Sequence, residues 1–354
     1  MQIFIFNENN SYSQSIQYNS ITLIKYYCIV LLIKIKDKGK QMNIINYILL
    51  SLLTVIFNIN IAFSSDILKT PPTIVGDNFA FTEGPVWVGN QNMWLFTDIP
   101  MNKIYSLDLN GNVNVWLDDS GYANGLSIDS NNNIWIAHHC GRVSYTTPSG
   151  ENNVVASTYN GKKLNSPNDI AIRKDGSLWF TDPMYGISLE GFGCEVRDEE
   201  QPVRGIYQIK DGEITLKTGS VEIPNGIAFS NDEKFLYVAN SADGVVYRFE
   251  VDGEELINKR PWVKIESGMR PHPVFGYIAD GMQVDKNGNL YVSGGHEGFA
   301  IFSPEGKQLE LIQPDPGSSE SAMAGFVSNV AIGGPNNDQL MVSVGNQLLI
   351  YDIK

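Results

Sequence analysis

The chain has 354 residues, a formal net charge of −14 and 18% charged residues. Such an acid excess, with no basic stripe to offset it, repels nucleic-acid phosphates and anionic lipid headgroups, which excludes both as expected partners and favours a small-molecule role. Three cysteines are too few to define a disulfide framework.

In chain order, residues 1–64 come first, rich in Asn, Ile, Tyr and Lys and without turn chemistry to connect them to the rest of the chain. Residues 1–41 read as an upstream extension ahead of Met42, and 42–64 as a signal peptide. The apolar run from Tyr47 to Phe57 is short for a bilayer span, Asn58 and Asn60 interrupt it, and Ala62-Phe63-Ser64 offers small residues for cleavage near Ser64. The Lys residues an n-region wants (Lys36, Lys38, Lys40) precede Met42, and an uncleaved anchor is the alternative. On the signal-peptide reading the mature protein is secreted or periplasmic, with no stable membrane association. Losing five Lys and two acids takes its charge from −14 to −17.

Residues 65–354 read as one domain built on a repeat. A polar residue stands at the head of six similar segments, Glu83, Asn124, Asn168, Asn225, Asp280 and Asn329, at spacings of 41, 44, 57, 55 and 49 residues. These periods suit arrays and propellers. Each unit runs strand, turn, strand, loop, strand, turn, strand, with reversals such as Asp129-Ser130-Asn131-Asn132 and Lys174-Asp175-Gly176. Second strands are rich in aromatic and aliphatic residues, as in Met93-Trp94-Leu95-Phe96, Leu178-Trp179-Phe180-Thr181 and Leu290-Tyr291-Val292-Ser293, which suits a sheet packed on neighbouring sheets. The expected fold is an all-β six-bladed β-propeller with four antiparallel strands per blade. Its last unit has room for only three strands before Lys354, so Thr73-Ile74-Val75 is expected to close that blade. The alternative, an ordinary two-sheet β-sandwich or two smaller β domains, is disfavoured by six comparable units.

If the innermost strand of each blade faces the axis, the six anchors ring one mouth of a central channel. Carboxylates and amide oxygens facing one another there need a cation, and hard oxygen donors favour Ca²⁺ first, with Mg²⁺, Mn²⁺ or Zn²⁺ as alternatives. Cys140 and Cys194 fall in loops between second and third strands of adjacent blades, and a disulfide between them would fit an oxidising compartment. Asp98 and Asp182 end second strands and read as structural hydrogen-bond acceptors.

Four motifs, Thr82-Glu83-Gly84-Pro85-Val86-Trp87, Asn165-Ser166-Pro167-Asn168-Asp169 running on to Phe180-Thr181-Asp182-Pro183-Met184-Tyr185-Gly186, Ile223-Pro224-Asn225-Gly226 and Ala279-Asp280-Gly281-Met282, together resemble the senescence-marker-protein-30, gluconolactonase and luciferin-regenerating-enzyme group. The resemblance implies a divalent cation held by Glu83, Asn225 and Asp280, with Asn168 as a further ligand or substrate contact. It also implies hydrolysis of a lactone, most readily a sugar lactone such as gluconolactone, with Asp280 as catalytic proton acceptor. Substrate contacts are expected from Asn124, Asn168, His139 and Arg142, with His138, Tyr185, His272 and His296 as further mouth residues. The group's His-Gly-x-Arg-Arg-Val run departs here to His138-His139-Cys140-Gly141-Arg142-Val143, keeping one Arg. A non-catalytic binding propeller, or hydrolysis of another ester or an organophosphate, is the alternative.

Overall fold

The computed structural model describes residues 67–265, 278–315 and 323–353. It contains six four-stranded antiparallel sheets arranged as a six-bladed β-propeller. Blade 1 comprises Thr82–Val88, Met93–Asp98, Lys103–Asp108 and Val113–Asp118; blade 2, Ala123–Ile128, Ile134–His138, Arg142–Thr146 and Asn152–Ala156. Blade 3 holds Ile170–Ile172, Leu178–Asp182, Gly205–Lys210 and Glu213–Thr218; blade 4, Pro224–Phe229, Phe235–Asn240, Val245–Asp252 and Glu255–Lys264. Blade 5 holds Met282–Val284, Leu290–Ser293, Phe299–Phe302 and Gln308–Ile312, and blade 6 holds Val327–Gly333, Gln339–Val344 and Gln347–Ile353.

The apolar second strands work because a strand inside a propeller is covered on both faces. Period-two alternation sends Leu95 into a core with Leu126, Ile134 and Ile136 of blade 2. Its neighbours Trp94 and Phe96 point the other way, onto Met341 and Leu348 of blade 6. Trp179 likewise meets Leu236 and Val238 of blade 4, while Leu178 and Phe180 meet Ala137 and Val143 of blade 2. The outcome is a separate core at each blade-to-blade interface, which leaves the axis free for polar groups.

Turn chemistry is also as the sequence suggests. Asp108, Asp129 and Asp285 each use Oδ1 to accept the backbone N–H groups two and four residues on, which satisfies the reversal locally.

Leu68–Gly76 completes blade 6 as its outermost strand, pairing antiparallel with Gln347–Ile353 from Leu68↔Ile353 to Gly76↔Leu348. The closing strand is longer than the Thr73–Val75 core of the expectation. Its register breaks between Lys69 and Thr73, where Pro71 and Pro72 supply no N–H to the ladder. Leu68 is buried among Val342, Val344 and Tyr351. A chain starting after Gly76 should therefore expose Gln347–Ile353 as an open edge. Its expected behaviour is a lower melting temperature and larger species in size exclusion than the chain starting at Ser65; identical profiles would deny the strand its closing role.

Candidate active site

Glu83, Asn124 and Asn225 enter the channel through local breaks in their strands. The pairing of Glu83 with Thr97 and Val86 with Leu95 leaves an extra residue on the inner strand, and the same break occurs between Ala123 and Leu126 and between Pro224 and Ile227. Such bulges re-aim side chains at rims. Here the Gly after the anchor makes the close approach possible: Gly84 has φ +47°, and a Cβ on it would stand 1.9 Å from the Asn124 carbonyl oxygen.

Hydroxyls at the ends of second strands then fix the backbones of the anchors or of the residues beside them. Thr97 Oγ1 donates to the Asn124 carbonyl (3.1 Å), Thr181 Oγ1 to the Asn225 carbonyl (2.7 Å), and Ser293 Oγ to the Gly281 and Ser328 carbonyls (2.7 Å each). These residues were not singled out from the sequence. Asp98 accepts from the N–H groups of Ala80 and Phe81, and Asp182 from those of Asn165 and Ser166, so both brace the segments leading to Glu83 and Asn168.

Glu83, Asn124, His139, Asn168, Tyr185, Asn225 and Asp280 all line one small pocket of about 50 Å³ at this mouth. A larger cavity of about 480 Å³ is lined by the opposite ends of the inner strands, including Trp87, Ile128, Ile172 and Val284, and shares none of those seven residues. The smaller space, which collects these seven residues, is therefore the candidate site. Asn329, the sixth anchor, instead donates from Nδ2 to Glu83 Oε2 (2.8 Å), and Gly84 N–H donates to the same oxygen (2.7 Å).

The amides are held by their nitrogens. Asn225 Nδ2 donates to Ser241 Oγ (3.1 Å), and the Ser241 hydroxyl donates in turn to the Ala279 carbonyl (2.9 Å). Asn124 Nδ2 lies 2.8 Å from His139 Nε2. An amide nitrogen can only donate, so Nε2 accepts, and the His139 proton sits on Nδ1, which donates to the Phe192 carbonyl (2.8 Å). Burial holds His139 down to about 4, keeping the ring neutral.

The carboxylates are under electrostatic load. Burial pushes Glu83 up to about 7, against the hydrogen bonds from Asn329 and Gly84. Asp280 is raised well above the ordinary range by burial first, then by the charges of Glu83 and Asp169. Asp169, which the sequence reading passed over, is buried beside them and pushed up to about 7 by burial, although it accepts from Ile170 and Ile227 N–H. Two repelling carboxylates converging with amide groups, and no Lys or Arg among the residues lining this pocket, form a donor set that fits a hard divalent cation. Glu83, Asn168, Asn225 and Asp280 are the residues that would hold it. Tyr185 stays protonated, raised by burial and then by Asp280, with its hydroxyl within reach of Ser241 and Asn225.

Arg142 does not line the pocket; it packs on Gly121 beside His138. His138 is committed within its blade, with Nδ1 at the Ser120 carbonyl and Nε2 at Ser144 Oγ (2.7 Å each). His296 sits edge-on to Phe326 and does not line the pocket either, and His272 lies outside the described residues. Cys140 and Cys194 are joined by a disulfide, with 5.0 Å between their Cα atoms.

Fold and mouth together define a closed six-bladed propeller with an oxygen-lined site at one end of its channel. Residues 81–346 match the SMP-30/gluconolactonase/LRE-like region, and the chain belongs to that family. It is 32% identical over 275 residues to a gluconolactonase from Zymomonas mobilis, covering 71% of this chain and 74% of that one. A pentonolactonase from Haloferax volcanii is 22% identical over 275 residues, covering 77% and 84%. The solved structure of a gluconolactonase from Xanthomonas campestris superposes with a TM-score of 0.71 at 26% identity, covering 81% of this chain and 91% of that one.

Proposed function

We propose that the protein hydrolyses lactones, sugar lactones such as gluconolactone first among them, at a divalent cation held by Glu83, Asn168, Asn225 and Asp280. The observation that carries the reading is the convergence of these four side chains in one buried pocket, in a chain related to a gluconolactonase and a pentonolactonase. When bound, a divalent cation, Ca²⁺ first and Mg²⁺, Mn²⁺ or Zn²⁺ as alternatives, polarises an ester carbonyl and stabilises developing negative charge by several kcal/mol, roughly.

The chain's own groups do the rest. Asp280 offers two carboxylate oxygens, so one can serve the cation while the other accepts a proton from the attacking water. The water oxygen adds to the carbonyl carbon, the ring C–O bond breaks, and the proton taken by Asp280 passes to the departing ring oxygen. The Tyr185 hydroxyl and the Asn124 amide oxygen orient the substrate, a role supported by the two residues' presence in the pocket lining. Phe81, Ile99 and Phe326 border the same pocket and exclude bulk water from it. The Cys140–Cys194 disulfide supports a secreted or periplasmic location, as residues 42–64 suggest.

Purified residues 65–354, assayed on aldonolactones, other lactones, aryl esters and an organophosphate, should turn over lactones, lose activity with chelator and regain it with Ca²⁺. Chelator-insensitive turnover would sink the cation's role, and turnover confined to another class would replace the reaction.

A further inference from the structure

One wall of the mouth is built unlike the others. Between the second and third strands, blade 3 carries 22 residues (183–204), where the other five blades use two to five. A connection that long needs a reason. It makes one helical turn, Tyr185–Ser188, and brings Phe192 to the border of the pocket.

Three independent contacts pin this segment to blade 2. The Phe192 carbonyl accepts the His139 Nδ1–H. Two residues on, Cys194 is bonded to Cys140, the neighbour of His139. Backbones pack directly as well: a Cβ on Gly186 would meet His139 Cβ at 2.4 Å and its carbonyl oxygen at 2.5 Å, while within the segment one on Gly193 would meet the Gly186 oxygen at 1.9 Å. The Phe192 ring stands edge-on to Phe81 with centroids 5.6 Å apart, and Phe81 in turn lies 5.8 Å from Phe326. The covalent link is thus one step from the histidine that orients Asn124 and two steps from an aromatic wall of the site. A mere staple would not need to lie there.

We propose that Phe192 is the specificity-determining wall of the site, setting the size of lactone that fits over the anchors, and that the Cys140–Cys194 bond is the positioning clamp that fixes the wall's distance. The inference rests on the lactonase reading. Phe192 lines this pocket of about 50 Å³, so its ring takes up space at the mouth that a bulky lactone substituent would need. Substrates are accordingly monocyclic five- and six-membered lactones with small substituents, and removing the ring of Phe192 admits fused or long-chain lactones.

The test measures kcat and KM for δ-valerolactone and dihydrocoumarin with wild type, Phe192→Ala, Phe192→Leu and Cys140→Ser/Cys194→Ser, each with Ca²⁺. Relative to wild type, Phe192→Ala should lower the small-over-bulky ratio of kcat/KM about tenfold, mainly through KM for the bulky substrate. Phe192→Leu, which keeps an apolar side chain, should fall between. The double Ser variant should move the ratio the same way, dithiothreitol should reproduce that shift in wild type, and dithiothreitol should leave the double variant unchanged. An unaltered ratio in both Phe192 variants overturns the wall. A double variant that melts earlier at an unaltered ratio overturns the clamp. A wild type that turns over neither these nor any aldonolactone overturns the lactonase reading and this inference with it, whereas turnover with unaltered ratios overturns the inference alone.

Discussion

Replacing Asp280 with Ala is expected to lower kcat about a thousandfold or more while the propeller stays folded. On the proposed mechanism the change removes a ligand and the proton acceptor together, and neither neighbouring carboxylate can take over both roles. Glu83 is tied to Asn329 and to the Gly84 N–H, and Asp169 spends its oxygens on Ile170 and Ile227. Folding should survive because Asp280 belongs to none of the apolar cores between blades. The chelated variant should even melt at or above chelated wild type near neutral pH, since burial and the charges of Glu83 and Asp169 make an ionised Asp280 unfavourable there. Steady-state kinetics with paired thermal melts check both halves, and wild-type turnover in the variant would remove Asp280 from catalysis.

The second large effect is in stability against pH. Glu83, Asp169 and Asp182 are each pushed up to about 7, with burial the largest cause. In the unfolded chain such groups titrate near 4, roughly. Between those values the unfolded state releases protons that the folded state keeps, so their contribution is fully present below about pH 4 and is lost as pH rises through about 7. At the acid end Asp108, held down by Asn112, and Asp232, held to about 2 by the Ser230 hydroxyl, remove stability as they protonate. Chelated protein should therefore be most stable near about pH 5 and melt at least about 5 °C lower at about pH 8. Ca²⁺ at about a hundred times its Kd should return about 2.7 kcal/mol at the alkaline end. It should also flatten the pH dependence by pairing Glu83 and Asp280. Scanning calorimetry across this range decides it: a flat profile in chelator contradicts the burial argument, and an unchanged melt on adding Ca²⁺ contradicts the cation site.

What was legible in the sequence is what repeats. The anchors share one position in each unit, so their period reveals the ring, and a last unit one strand short reveals how the ring closes. What repeats less strictly was harder to read. Thr97, Thr181 and Ser293 act by donating across blades to carbonyls far along the chain, and a hydroxyl at a strand's end gives no local sign of that. Asp169 occupies the place that Gly holds after four other anchors, a substitution visible in the sequence whose meaning depends on burial. The Phe192 wall did leave a trace, because the widest of the five anchor spacings, 57 residues, is the one that contains it. Arg142 opens the third strand of its blade, paired with His138, and its side chain packs on Gly121 rather than into the pocket.

The pairing of Leu68 with Ile353 has a consequence in time as well as space. The interfaces between successive blades are local enough to assemble while the chain is still emerging, but the seam between first and last blades joins residues separated by nearly the whole domain, and contacts of that separation form slowly. The Asn329 amide that holds Glu83 belongs to that seam. A nascent chain therefore carries five blades' worth of structure and no finished site. Ligand capacity should appear abruptly, once the final strand has left the ribosome and found its partner.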